Sequence, residues 1–159
     1  GYSGGGRQMV EEFERGEKKS TVFTYGLKLT HKHLPEMQQY SGLARPPLFT
    51  PAVGAYRQGM LVHVPLNLWA LPKAVRGRQL YDCLAAHYAG KQYVKVMLFG
   101  DEPPQQLDPE ALNGTNQMEL FVFENAKNQQ AVLIARLDNP GKGAGRAALQ
   151  NVGLMLGLQ

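Results

Sequence analysis

The sequence predicts an α+β fold organised around a mixed, mostly antiparallel sheet. Three observations lead to it. Branched and aromatic apolar residues gather in runs of strand length, at 60–64, 120–123 and 132–135. Apolar residues at helical spacing stand out over 76–89 and 143–156. Strands, long loops and helices do not alternate as a parallel βαβ fold requires. At about 150 residues per domain, the 159 residues make one domain with room for a small appendage.

The elements follow in order. Residues 1–6 form a glycine-rich, flexible turn that leads into a short helix over 7–14. A charged loop at 16–20 precedes a short strand at 22–25. Residues 30–36 read as an extended approach to a second helix over 35–41. Pro35 suits a first helical position, and Leu34 before it is steered away from helical angles. Residues 48–56 and 59–66 read as two strands paired with each other. The helix over 76–89 carries Leu80, Cys83, Leu84, His87 and Tyr88 on one face, and Gly90 ends it. On that face Cys83 reads as a buried thiol and His87 as a packed ring. His63 reads as a strand residue, and Trp69, Phe121 and Phe123 as core or interface.

A strand at 93–99 is followed by a proline-containing loop at 100–115. Strands at 118–124 and 130–137 make a hairpin around 125–129, with continuous apolar runs that predict burial on both faces. A turn at 138–141 leads to a last helix over 143–156, with Leu149, Val152, Met155 and Leu156 on one stripe.

Composition excludes several functions. The 17 basic and 13 acidic side chains give a net charge of +4, and no block of five basic residues occurs, so no nucleic-acid partner is expected. A single cysteine rules out a disulfide framework and a cysteine-rich zinc site, and fits a reducing, cytoplasmic setting. No apolar run approaches the roughly 18 residues of a membrane span, so no membrane partner is expected. The charged fraction of 19% is below the usual quarter, which points to surface covered by another domain or subunit. The chain opens inside a glycine-rich stretch without a methionine, and is expected to belong to a longer one.

Three stretches can carry chemistry. In Thr30-His31-Lys32-His33-Leu34-Pro35-Glu36, two histidines two apart in an extended stretch point to one side, just ahead of a helix N-terminus. The positive end of that helix disfavours imidazolium, and a neutral imidazole is a competent base. Glu36 is placed to orient one ring. On spacing alone, a solvated surface loop remains the competing reading. Ser3, Gly4, Gly5 and Arg7 lie where exposed backbone N–H groups and a helix start can bind an anion. The stretch Asp138-Asn139-Pro140-Gly141-Lys142-Gly143-Ala144-Gly145-Arg146 lacks both the Ser/Thr after its lysine and the glycine spacing of a nucleotide triphosphate loop. As a glycine-rich loop entering a helix, with Asn151 beyond it, it remains a ligand edge.

These segments, in this order, resemble one family. The chain is similar to the C-terminal portion of N-acetyl-gamma-glutamyl-phosphate reductase, in its shorter form. The matching stretches include Gly1-Tyr2-Ser3-Gly4-Gly5-Gly6-Arg7, Tyr25-Gly26-Leu27, His31-Lys32-His33-Leu34-Pro35-Glu36, Phe49-Thr50-Pro51, Leu137-Asp138-Asn139 and Gln150-Asn151. They span essentially the whole chain. Gly145-Arg146 and Pro140 depart from the family's usual residues on the cofactor side.

The resemblance implies a glyceraldehyde-3-phosphate dehydrogenase-like C-terminal domain, a mixed sheet with helices on one face. It implies residues 1–140 as the catalytic, substrate and dimerisation domain, and 141–159 as a helix packed on a separate NADP-binding domain. It implies reduction of N-acetylglutamyl 5-phosphate to the 5-semialdehyde with NADPH, in a homodimer or tetramer, without a metal. The family's nucleophilic cysteine belongs to a Gly-Cys-Tyr-Pro-Thr motif upstream of the glycine loop, which this sequence does not contain, so the chain alone is expected to be inactive. His31 is then the expected general base, with His33 and Glu36 positioning it or touching substrate. By the same resemblance Ser3, Gly4, Gly5 and Arg7 are expected to hold the acyl or phosphate group, and Lys142, Gly143 and Asn151 to face the cofactor. Two alternatives stand beside this one: a non-catalytic dimerisation or regulatory relative, and a zinc hydrolase using His31, His33 and either His63 or Glu36.

Overall fold

The computed structural model describes residues 1–100 and 102–158. The chain forms two compact units, residues 1–57 and 58–159, and its architecture is α+β.

In the first unit, Tyr2–Gly5 is a short 3-10 helix rather than a flexible turn. Its first amides are tied to a distant part of the chain: Tyr2 N–H and Ser3 N–H donate to the carbonyls of Tyr56 and Arg57 at 2.8 and 2.9 Å. A helix, α1 (Arg7–Glu14), follows. Phe13 stacks between Tyr2 and Phe23, with centroids 4.7 and 6.4 Å away. Strands β1 (Val22–Thr24) and β2 (Ala52–Gly54) pair antiparallel, and Tyr25 N–H extends that ladder to Pro51 O at 3.1 Å. Helix α2 (Leu34–Ser41) closes on Gly42, whose φ of 67° supplies the left-handed cap.

The expected pairing of 48–56 with 59–66 is therefore corrected: β2 pairs with β1. Pro46, Pro47 and Pro51 have no N–H to give a ladder, which leaves only a short strand. The residues after it are committed elsewhere, since Ala55 N–H donates to Thr21 O and the carbonyls of Tyr56 and Arg57 receive the first 3-10 turn.

The second unit is a four-stranded sheet of order β3-β6-β5-β4, built from β3 (Met60–Asn67), β4 (Val94–Val96), β5 (Met118–Asn125) and β6 (Gln130–Leu137). Its pairings are antiparallel except for β4 with β5, which run parallel. The predicted hairpin is present. Asn125 Oδ1 accepts from Asn128 N–H at 3.1 Å, and Gln129 takes a φ of 51° to turn the chain back. Phe121, Val122, Ala131, Ile134 and Leu137 form the core of this unit with Leu68. Facing positions Glu119 and Arg136 make a cross-strand ion pair, and the guanidinium also lies over the Phe121 ring.

Helix α3 (Gly77–His87) packs on β5 and β4. Gly77 is obligatory there, because a Cβ would come within 2.7 Å of Glu124 Cβ. The inward face consists of Gly77, Leu80, Tyr81, Leu84, Ala85 and Tyr88, about one residue round from the predicted stripe. Cys83 and His87 consequently face solvent, not the core. The predicted final helix begins with a π-turn (Gly141–Gly145) and continues as α4 (Arg146–Met155).

Buried Asp138 and half-buried Asn139 lock the sheet end from which that turn departs. Asp138 is 2% exposed, and its Oδ2 accepts from Gly114 N–H at 2.8 Å and Gln58 Nε2 at 3.2 Å. Asn139 Oδ1 accepts from Gly59 N–H at 2.8 Å. Gly59 has a φ of 109°, and any Cβ there would lie 2.4 Å from Pro109 O, so only glycine fits. No helix among the described residues is long and apolar enough to cross a membrane.

Candidate active site

The histidine pair sits in the first unit, on a turn that joins β1 to α2. Gly26 and Leu29 both take positive φ, 65° and 57°, and Leu29 N–H donates to Gly26 O at 2.9 Å. This reverses the chain and delivers His31. The expected extended path through 30–36 is replaced by a second turn, in which Leu34 N–H donates to His31 O at 3.1 Å. His33 is the N-cap of α2 with φ −87° and ψ −5°, and the helix starts at Leu34, one residue before Pro35.

The two rings still end up together, with centroids 5.1 Å apart. Turn geometry brings them there, in place of alternation along a strand. His33 Nδ1 lies 3.0 Å from Glu36 Oε2, one helical turn on. His31 Nδ1 accepts from the His33 backbone N–H at 3.3 Å. Around His31, Phe49 and Tyr25 present T-shaped contacts at 5.0 and 5.9 Å. The β1–β2 pairing explains those neighbours, because it carries 49–51 alongside Tyr25. Residue reading left both aromatics without a role. Their only signal was membership of the two stretches that carry the family resemblance.

The glycine segment also belongs to the first unit. Gly4 N–H donates to Gly1 O at 3.3 Å, and a Cβ on Gly5 would strike Met9 Sδ at 2.1 Å. Arg7 Nε donates to Glu11 Oε1 at 2.7 Å while its side chain stays 92% exposed. It therefore projects an exposed cation beside the first turn of α1.

The residues that the resemblance assigns to the cofactor lie in the second unit. Lys142 Nζ donates to Gln150 Oε1 at 3.0 Å and rests over the Tyr93 ring at 5.5 Å. Partial burial lowers the pKa of its ammonium below the ordinary lysine value. Asn116 Nδ2 donates to the same Gln150 oxygen at 3.3 Å. Gly143 N–H donates to Asp138 O at 3.0 Å, inside the π-turn. Asn151 is exposed on α4. Lys142 and Gly143 are thus tied to the π-turn and the helix after it, whereas the Asn151 side chain stays open to solvent. Among the described residues, no group of three His, Cys, Asp or Glu side chains is arranged to hold a metal.

The family model of the semialdehyde dehydrogenase dimerisation domain matches residues 1–139. The N-acetyl-gamma-glutamyl-phosphate reductase of Burkholderia cenocepacia strain HI2424 is 51% identical over 99% of this chain and 51% of its own length. The protein of the same name from Trichormus variabilis is 45% identical over 99% of the chain and 52% of its own length. That of Chelativorans sp. strain BNC1 is 49% identical over 98% and 52%. The chain thus spans about half the length of the curated relatives it matches. The resemblance read from the motifs agrees with both findings. With residues 1–139 matched, the chain belongs to the semialdehyde dehydrogenase dimerisation-domain family.

Proposed function

We propose that this chain is the catalytic and dimerisation part of a cytoplasmic, NADPH-dependent reductase. That enzyme converts N-acetylglutamyl 5-phosphate to N-acetylglutamate 5-semialdehyde and phosphate, in arginine biosynthesis. The observation that carries the reading is the His31–His33–Glu36 cluster, in a chain about half identical to reductases of that name.

In this reading a thiolate from outside the chain attacks the acyl phosphate and forms a thioester. The cofactor, when bound, supplies hydride. The imidazole pair handles the protons. The exposed Arg7 guanidinium supplies the charge that holds the phosphate side of the substrate, and Ser3, Gly4 and Gly5 form the turn beside it, with the Ser3 and Gly4 N–H groups already donated to Arg57 O and Gly1 O. Asn151 touches the cofactor, and Lys142 and Gly143 fix the turn ahead of it. Residues 1–140 form the substrate and dimerisation part, and two copies associate through it as a homodimer or within a tetramer. Residues 141–159 pack on the dinucleotide-binding domain. Support for that packing is the uncovered stripe of α4 and its end, where Leu149, Met155 and Leu156 are 72, 85 and 66% exposed.

The test uses the full-length protein that contains this chain. With N-acetylglutamate 5-semialdehyde and NADP, reduction of NADP should depend on added inorganic phosphate, and native mass should be that of a dimer or larger. A folded protein that shows no phosphate-dependent reduction would leave a non-catalytic relative as the better reading.

A further inference from the structure

We propose that the two imidazoles do opposite work: His33 Nε2 accepts the thiol proton, and His31 Nε2–H donates to the acyl oxygen as that oxygen gains charge. This rests on the reductase reading above, and it divides between two rings a role that the family resemblance gave to His31.

The partners of the Nδ1 atoms decide the division. A carboxylate only accepts hydrogen bonds. Glu36 Oε2, 3.0 Å from His33 Nδ1, therefore requires a proton on that nitrogen, and the neutral ring keeps its lone pair on Nε2. A backbone N–H only donates. The His33 amide, 3.3 Å from His31 Nδ1, therefore requires a bare nitrogen there, and the ring proton sits on Nε2. The opposite tautomer of His31 would set two N–H groups against each other. One ring thus offers a base and its neighbour a donor, with centroids 5.1 Å apart. Phe49 and Tyr25 hold the donor ring by its edges. The titratable groups against the pair in this unit are Glu36 on His33 and Tyr25 beside His31, while Lys32 between them is exposed.

The proton balance closes. His33 Nε2 takes the S–H proton as sulfur bonds to the acyl carbon, and passes it to the departing phosphate as the C–O bond to phosphate breaks. The thioester receives hydride, and the resulting oxyanion lies on His31 Nε2–H without taking that proton. It collapses to the aldehyde and expels thiolate, which regains a solvent proton through His33.

Two measurements on the full-length protein test this. Ring nitrogen NMR should find neutral His33 protonated at Nδ1 and neutral His31 protonated at Nε2. In phosphate-dependent oxidation of the semialdehyde, His33→Gln should lower kcat/KM by about 10²–10⁴-fold and remove the acid limb of the pH profile. His31→Ala should lower it by about 10²–10³-fold with the limb intact. His31→Gln should recover at least about tenfold over His31→Ala, because its amide N–H can stand in for Nε2–H. An acid limb that survives in His33→Gln but vanishes in His31→Gln, or a neutral His31 protonated at Nδ1, overturns the division while leaving the reductase reading standing. A folded wild-type protein with no phosphate-dependent oxidation removes both.

Discussion

Asp138→Ala is expected to destabilise the second unit by about 2–4 kcal/mol. The carboxylate accepts two hydrogen bonds at Oδ2, from Gly114 N–H and Gln58 Nε2, each worth about 1.5–3 kcal/mol when the acceptor is charged. Against this stands its other oxygen, Oδ1, which is buried and has no hydrogen-bond partner among the described residues. Removing that atom returns about 1–3 kcal/mol of desolvation cost. The two gained bonds outweigh the orphan oxygen, so the alanine loses. Asp138→Asn should cost less, about 1 kcal/mol, because it keeps a neutral acceptor for the same donors. Urea unfolding followed by circular dichroism reads the order. An alanine variant as stable as wild type would mean that this carboxylate does not hold the sheet end. The same lock places the π-turn, so the loss should extend to Lys142 and Asn151 at its far side.

Glu36→Gln in the full-length protein is expected to lower kcat/KM about 10–100-fold without changing stability. A buried carboxylate behind a catalytic imidazole can be worth about 10⁴-fold. Here the His33 and Glu36 side chains are 50 and 67% exposed, so solvent screens the pair and the smaller figure applies. Glutamine can still accept from Nδ1, but it brings no charge to offset the imidazolium that forms, and its amide can instead donate, which permits the unproductive tautomer. Steady-state kinetics beside thermal unfolding decides it. A change below about twofold in kcat/KM would remove Glu36 as a positioning residue.

Much of this was legible in the residues. The hairpin of β5 and β6 was, because two continuous apolar runs flank a polar turn. The closeness of His31, His33 and Glu36 was legible in their short spacing, although turns and the start of α2 deliver it and not the expected extended stretch. Other features resist sequence reading for physical reasons. The partner of 52–54 depends on backbone groups at 55–57 that are claimed by residues far back in the chain, Tyr2, Ser3 and Thr21. The stripe on α3 was off by about one position because Gly77 sets how closely the helix meets Glu124, and a missing side chain leaves no mark in an apolar pattern. Cys83 looked buried for the same reason. Asp138 and Asn139 looked like part of a ligand edge, yet Asp138 Oδ2 is taken by Gln58 and Gly114 and Asn139 Oδ1 by Gly59. Tautomers are set by single hydrogen bonds and lie below the reach of spacing altogether.

The central claim is that the imidazole pair of the first unit serves a phosphate-dependent reductase, His33 by moving the proton and His31 by donating a hydrogen bond to the acyl oxygen. The most direct measurement is turnover of full-length protein with His31 and His33 both replaced by alanine, alongside native mass and circular dichroism. The account predicts a fall of at least about 10³-fold in phosphate-dependent kcat/KM, with mass and spectrum unchanged. Turnover within about twofold of wild type would contradict it.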